Sequence, residues 1–340
     1  MSSSIEVGDF KIGNNRTFVI AEIGSNHNQD LELAFEHIRA AKKAGADAVK
    51  FQSINVDKLY YEPTNEIIEL HQKIDLKEEW HYKLNEFCKT EEIIFFTSPT
   101  YIKAIDILEE IDIPIYKLAS AQIGTFPQLV RRVASLNKPT ILSTGIVNYS
   151  QLNNVIKIFE EENNSKYIIL HCNSIYPTPS DAVNLKLMQT YKEMFGSVVG
   201  FSDHTLDIFA PIAAVARGAK VIEKHFTLDK ELPTPDAKFA LEPAQFKRMT
   251  EGIRKTEKVW GDSSRVLIRE SEKNFKENIL TKLILKNKKN KGDDFTPEDF
   301  YFRRNIYGIN CGNMNFIISN NFMAKKVLKK DVPLTWNDIE

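Results

Sequence analysis

FVIAEIG at residues 18–24 and DAVKFQS at 47–53 are the first two of eight short runs rich in β-branched and aromatic residues, and their recurrence decides the fold. IIFFTSP (93–99), PIYKLAS (114–120), TILSTG (140–145), YIILHCN (167–173), VVGFSDH (198–204) and VIEKHF (221–226) follow. Most are apolar at the start and polar at the end, and the longer segments between them carry helical periodicity. LELAFEHIRAAKKAG reads as a helix with Gly45 as its C-terminal cap, PQLVRRVASLN as one with a proline near its start, and PAQFKRMTEGIRKTEKVWG as the last of the series. Eight strand–helix pairs in about 260 residues predict an α/β fold of the (β/α)8 TIM-barrel type, whose active site lies at the C-terminal ends of the strands. An open doubly wound sheet is the competing arrangement, but EIGSNHN after the first strand is a poor match to G-x-G-x-x-G.

The rest of the 340 residues sets the bounds on this barrel. After Gly261 the texture changes, which predicts a barrel domain over 1–261, a polar linker over 262–277 and a small, mostly-β domain over 278–340. The tail from Asp262 carries a net charge of +4 and the part before it −5, so the chain nets −1 and gives no global case for nucleic acid or an anionic membrane. KNKKNKGDD (286–294) is read as a lysine-rich turn with Gly292 at its corner in preference to a nucleic-acid patch. Cys88, Cys172 and Cys311 show neither CxxC nor zinc spacing and read as reduced thiols. The N-terminal MSSSIEVGDFKIGNNR lacks a basic region followed by an apolar one, and no 18-residue apolar stretch occurs, so the expected address is the cytoplasm.

In a barrel the strand interiors are filled with branched apolar side chains, so a charged residue within such a run needs a partner or a ligand. Lys50 and Lys117 break the pattern late in their strands. Each could form a buried ion pair, with Glu22 or Glu223, but two together at one mouth favour a ligand. Ser120, Ser143 and Ser202 stand at strand ends beside them, where single serines serve as turn or cap residues. Together, hydroxyl and ammonium groups make a site for a compact dianion such as a phosphorylated acid. His204 and His225 occupy adjacent strands at similar height, which suits a divalent metal with open positions; without a thiolate, Mn, Co, Mg or Fe fits better than structural Zn. Asp203 could orient an imidazole or cap the following helix. Glu22 and Gln52 end the first two strands, with Asn26 and His27 in the loop beyond, and Glu22 could be a general base, a hydroxyl acceptor or a lysine's counter-ion.

AEIGSNHN, AVKFQ, TSP, YKLAS, ILSTG, HCNSIYPTP, GFSDHT, IEKHFTLDK and PDAKFALEP, in this order and spacing, resemble the sialic acid synthase family, which makes nine-carbon nonulosonic acids from phosphoenolpyruvate. The resemblance spans nearly the whole chain, and the tail is similar to that family's antifreeze-like (SAF, β-clip) domain. It implies that Lys50, Lys117, Ser120, Ser143 and Ser202 hold phosphoenolpyruvate and that His204 and His225 bind a divalent metal, usually Mn²⁺, with Mg²⁺ or Co²⁺ as alternatives. Glu22, Gln52, Tyr176 and Asp236 match positions that contact the open-chain amino sugar or the metal-bound water. The family further implies a domain-swapped homodimer in which Arg304 of the partner's cap reaches the sugar's N-acyl group.

Three departures bear on the sugar. Gln122 stands where N-acetylneuraminate synthases typically have glutamate, Ser174 where they have asparagine, and Asn305 and Ile306 replace Pro-Gly after Arg304. Gln122 and Ser174 therefore join the expected sugar-facing residues. The implied activity is transfer of phosphoenolpyruvate onto an N-acetylmannosamine-type sugar, with a 2,4-diacetamido-2,4,6-trideoxyhexose (legionaminate or pseudaminate synthesis) as the alternative. An aldolase using a Lys117 imine and a non-catalytic carbohydrate- or ice-binding protein are the competing classes.

Overall fold

Side chains on both faces of a parallel strand are covered, which is why the eight runs read as nearly continuous apolar stretches. In the computed structural model, which describes residues 4–14, 16–261 and 270–340, they form the strands β3 to β10. These are β3 (Phe18–Gly24), β4 (Ala48–Ser53), β5 (Ile94–Pro99), β6 (Tyr116–Leu118), β7 (Thr140–Ser143), β8 (Tyr167–Cys172), β9 (Val198–Asp203) and β10 (Val221–His225). All ladders are parallel, in the order β5-β4-β3-β10-β9-β8-β7-β6, and β5 and β6 contact each other to close the cylinder. The chain is thus a (β/α)8 barrel followed by a small second unit, divided as Met1–Gly261 and Asp262–Glu340.

Local chemistry explains the helices. Leu31–Lys43 starts where the Asp30 side chain accepts from the backbone N–H of Glu32 and Leu33, and ends before Gly45 at φ +91°, the left-handed region that a side chain resists. Pro127–Ala134 has its proline in the first turn, where the missing N–H costs nothing. Pro243–Trp260 is the long helix after β10. The PIYKLAS run shortens to three strand residues, because Pro114 cannot donate to the ladder and Ser120 already opens the helix Ser120–Thr125.

Two elements were not expected. Ile5–Val7 (β1) and Phe10–Ile12 (β2) form an antiparallel hairpin around Gly8-Asp9, with Gly8 at φ +55°, and bury Val7 and Ile12 in the barrel core. The alternation in IEV-GD-FKI carries that signal, since a two-residue Gly-Asp turn is a standard hairpin connection. Of the segment read as a polar linker, residues 262–269 lie outside the described residues, while Glu270–Ile279 is a helix.

The second unit pairs β11 (Thr281–Leu285) with β12 (Phe300–Arg304) antiparallel and has its own core of Leu283, Leu285, Phe295, Phe300, Ile317 and Leu334. Gly292 turns at φ +87°, and Lys289 is tied to Asp299 at 2.7 Å, so part of the lysine run is spent on local structure. Among the described residues no helix is long and apolar enough to cross a membrane.

His37 links the first barrel helix to the segment after the last strand. Its Nδ1 donates to Leu33 O at 2.8 Å and its Nε2 accepts from the Leu228 N–H at 3.1 Å, so the ring is held neutral. Burial pushes its pKa from 6.5 down to about 4. The neutral form is the folded form, so this contribution is complete above pH 6.5 and is lost as pH falls toward 4, by on the order of 3 kcal/mol. Thermal melting followed from pH 7 to pH 4.5 is expected to fall steeply in the wild type and less steeply in His37→Gln; parallel slopes would remove His37 as a cause.

Candidate active site

The polar ends of the eight strands meet at one mouth. Glu22 from β3, Lys50 from β4, Lys117 from β6, Ser202 from β9 and Glu223 from β10 are all buried there. Lys117 Nζ donates to both Glu223 oxygens, at 2.7 and 2.9 Å, and Ser202 Oγ donates to Oε1 at 3.0 Å. Lys50 Nζ sits 2.6 Å from Glu22 and 4.0 Å from Glu223. Gln52 Nε2 donates to Glu22 at 2.7 Å.

Both lysines are therefore ion-paired, and the cationic mouth expected from their positions is instead a charge-balanced cluster of two ammonium groups and two carboxylates. The physical reason is desolvation: two buried cations side by side are tolerated only with anions against them. Burial alone would raise the Glu223 pKa, but Lys117 and Lys50 overcome it and hold the carboxyl down at about 2. Burial depresses Lys117 despite Glu223, while for Lys50 the paired glutamates outweigh burial and raise it. Glu22 is raised, chiefly by burial, and Asp236 is pushed up to about 7 by burial and by Glu22. Glu223, weighed in the sequence only as a counter-ion, is the hub. Its spacing of two from His225 in VIEKH is the signal that puts both on the inward face.

The serines are less uniform than their common strand-end position suggests. Ser143 Oγ, buried at the end of β7, makes no hydrogen bond among the described residues. Ser120 lies in the first turn of its short helix, 3.3 Å from Ser174 Oγ in the loop after β8. A Cβ on Gly145 would fall 2.2 Å from Ser174 Oγ, 2.9 Å from Ser120 Oγ and 3.1 Å from Cys172 Sγ, so a glycine there lets three polar groups approach the backbone. Gln122 is half-buried two residues beyond Ser120 on the same helix.

His204 and His225 end β9 and β10 with ring centroids 5.3 Å apart. His204 Nδ1 donates to Asn173 O at 2.7 Å, which orients the ring; Asn173 had drawn no notice in the sequence. Burial lowers His204 to about 4 and His225 well below its usual value, the latter helped by His204 and the nearby cations. Two neutral imidazoles are what a metal requires, and among the described residues the buried His225 Nδ1 has no hydrogen-bond partner, the Asp236 carboxylate being 3.6 Å away. The pair therefore fits a divalent cation. Among the described residues no group of three or more His, Cys, Asp and Glu side chains converges on one such point. Asp203 makes no direct hydrogen bond to an imidazole and caps no helix; its carboxylate takes Lys224 and Thr205 instead.

Beside the histidines lies a cavity of about 600 Å³ lined by Tyr176, Pro177, Leu206, Pro235, Asp236, Lys238 and Phe239. The Tyr176 ring packs 4.3 Å from His204 and 5.4 Å from Phe239. Asn26 and His27 have structural duties: Asn26 Nδ2 donates to Phe226 O at 2.9 Å, and His27 packs against Trp80. A larger cavity, about 730 Å³, opens beside the hairpin and the starts of β4 and β5, at the end of the barrel away from these groups. Arg304 ends β12 of the second unit, exposed and opposite Thr281.

Residues 37–265 match the model of the NeuB family. The chain is 37% identical over 319 residues to a pseudaminic acid synthase of Campylobacter jejuni, covering 90% of this chain and 92% of that one. It is 36% identical over 312 residues to an N,N'-diacetyllegionaminic acid synthase of the same species, covering 87% and 92%. Among solved structures, an N-acetylneuraminic acid synthetase from Leptospira borgpetersenii, crystallised with citrate, matches with a TM-score of 0.75 and 32% identity over 82% of this chain and 98% of that one. With two thirds of its length inside the family model and its relatives matched almost end to end, the chain belongs to the NeuB family.

Proposed function

We propose that the protein is a nonulosonic acid synthase that condenses phosphoenolpyruvate with an open-chain acetamido sugar, releasing phosphate. The observation that carries this reading is the convergence of Lys50, Lys117, Ser202 and Glu223 with the two neutral histidines at one barrel mouth. Lys50 and Lys117 would meet the carboxylate and phosphate, exchanging part of their hold on Glu22 and Glu223, and the unpartnered Ser143 hydroxyl is free to donate to the same anion. A divalent ion, in our reading Mn²⁺ with Mg²⁺ or Co²⁺ as substitutes, would be held by His204 and His225 and would polarise the aldehyde oxygen of the sugar. Glu22, with its raised pKa, and Asp236 stand where they can hold or pass a proton near the incoming sugar and water.

For the sugar we favour a 2,4-diacetamido-2,4,6-trideoxyhexose over N-acetylmannosamine. Tyr176, Pro177, Leu206, Pro235 and Phe239 give the cavity apolar walls suited to a methyl at carbon 6 and a second acetamido group. The relatives named for pseudaminic and N,N'-diacetyllegionaminic acid are 34–37% identical, against 30% for the human N-acetylneuraminate-9-phosphate synthase. We further infer a homodimer in which the partner's small unit covers the mouth. Ile146, Ile175 and Leu206 are exposed on the barrel loops, Phe209 at the start of the helix Phe209–Ala216, and Ile306 and Tyr307 on the small unit. Work in the cytoplasm is part of this reading, as the substrates are intermediates of metabolism.

Phosphate release from phosphoenolpyruvate is expected with Mn²⁺ and a trideoxy diacetamido sugar, to be abolished by EDTA, and to be weaker with N-acetylmannosamine. Glu223→Gln keeps one acceptor oxygen, which Lys117 and Ser202 can share, but loses the second acceptor and the charge, and is expected to lower kcat/KM by ~10²-fold. Silence with every sugar in folded, Mn²⁺-loaded protein would refute the synthase. The aldolase reading draws on the depressed Lys117 pKa, yet both Glu223 oxygens hold that nitrogen away from a carbonyl; borohydride with pyruvate should trap nothing, and a stable adduct at Lys117 would reverse the assignment. Mixed Arg304→Ala and His204→Ala subunits are expected to recover about a quarter of wild-type sites by random pairing, while no recovery under verified exchange would sink the swapped dimer.

A further inference from the structure

Directly behind the two histidines, on the opposite face of the same strands, lies an ion pair that the chemistry above does not use. Asp203 and Lys224 are cross-strand partners in the β9–β10 register, each one residue before a histidine. Their side chains are fully buried, at 0% exposure, with Lys224 Nζ 2.5 Å from Asp203 Oδ2. The network is closed: Lys224 also donates to Thr205 O, and Asp203 accepts from the Thr205 N–H at 2.9 Å and its hydroxyl at 3.0 Å. Because side chains alternate across a strand, Ser202 and Glu223 point into the barrel, where they meet at 3.0 Å, and Asp203 and Lys224 point away from it.

A buried ion pair at such a position is poor value for stability, since well-packed apolar residues do as well or better there; what it supplies is a single fixed arrangement. Here it clamps β9 to β10 at the step before His204 and His225, and through Thr205 it grips the backbone on the far side of His204. His204 is thereby held from three directions, by this clamp, by its Nδ1 bond to Asn173 O, and by its own carbonyl accepting from the Thr178 N–H at 2.9 Å.

We propose that Asp203 and Lys224 are a positioning pair, whose salt bridge sets the separation and tilt of the His204 and His225 rings and so the affinity of the pair for a divalent cation. The proposal rests on reading these histidines as a cation site. No group in it touches substrate; its effect passes through the strand ends.

The test is Mn²⁺ titration of the full-length protein, followed by the electron paramagnetic resonance of free Mn²⁺ and by thermal melting of each variant. Asp203→Leu combined with Lys224→Met removes both charges without stranding either, so a folded protein is expected, with Mn²⁺ bound ~10-fold or more weakly, the range for groups that orient metal ligands. Asp203→Asn, nearly isosteric, keeps one acceptor oxygen, enough for Lys224 and the Thr205 hydroxyl but not also for the Thr205 N–H; it is the second variant and should weaken Mn²⁺ by a smaller factor. Val133→Ala, a core truncation in the helix Pro127–Ala134, is the control for lost stability alone and should leave Mn²⁺ binding unchanged. Wild-type affinity in either folded Asp203 variant, or an equal loss in Val133→Ala, would overturn the positioning role. No Mn²⁺ binding by the wild type would instead overturn the cation site on which the role depends.

Discussion

The carboxylate of Glu223 is the constraint on which the barrel mouth depends. It is buried, it is bonded to Lys117 and Ser202, and Lys50 stands 4.0 Å away with Glu22 on its other side. Remove it and two ammonium groups face each other without solvent. Keep it and the cluster is neutral and compact. Under the proposed function, lysines already fixed in place would need little reorganisation to receive a phosphate and a carboxylate, since preorganised charge is worth most where water is excluded.

The same burial that ties up the lysines keeps the histidines neutral. His204 and His225 lose their protons because desolvation and the neighbouring cations disfavour a further positive charge. In this cluster the lysines are paired, the imidazoles are uncharged, and burial with Glu22 beside it raises the Asp236 carboxyl to about 7, so neighbouring groups are set apart in charge by environment alone. The chain belongs to the NeuB family, and the relatives that match it almost end to end are named as synthases of pseudaminic and N,N'-diacetyllegionaminic acid.

Much of the architecture was legible in the sequence. The eight strands begin within two residues of the runs that marked them, because apolar β-branched stretches between amphipathic helices have few other ways to be buried. The candidate residues of the mouth were legible too, since polar groups late in an apolar run must point at something. Two elements went unread. The β1–β2 hairpin was overlooked although its Gly-Asp turn was visible, and the helix Glu270–Ile279 fell within a stretch whose polar composition suggested only a connection.

The sequence by itself determined the strand count, the apolar interior and the inward face of each strand, for these follow from periodicities of two and 3.6 that belong to the chain locally. Only the tertiary structure decided which charge meets which. Lys117 and Glu223 are separated by 106 residues, and Lys224 pairs with Asp203 rather than with any nearer acid. Whether a buried lysine is a bare cation or half of a salt bridge depends on distances set by closure of the barrel, and closure is a property of all eight strands at once.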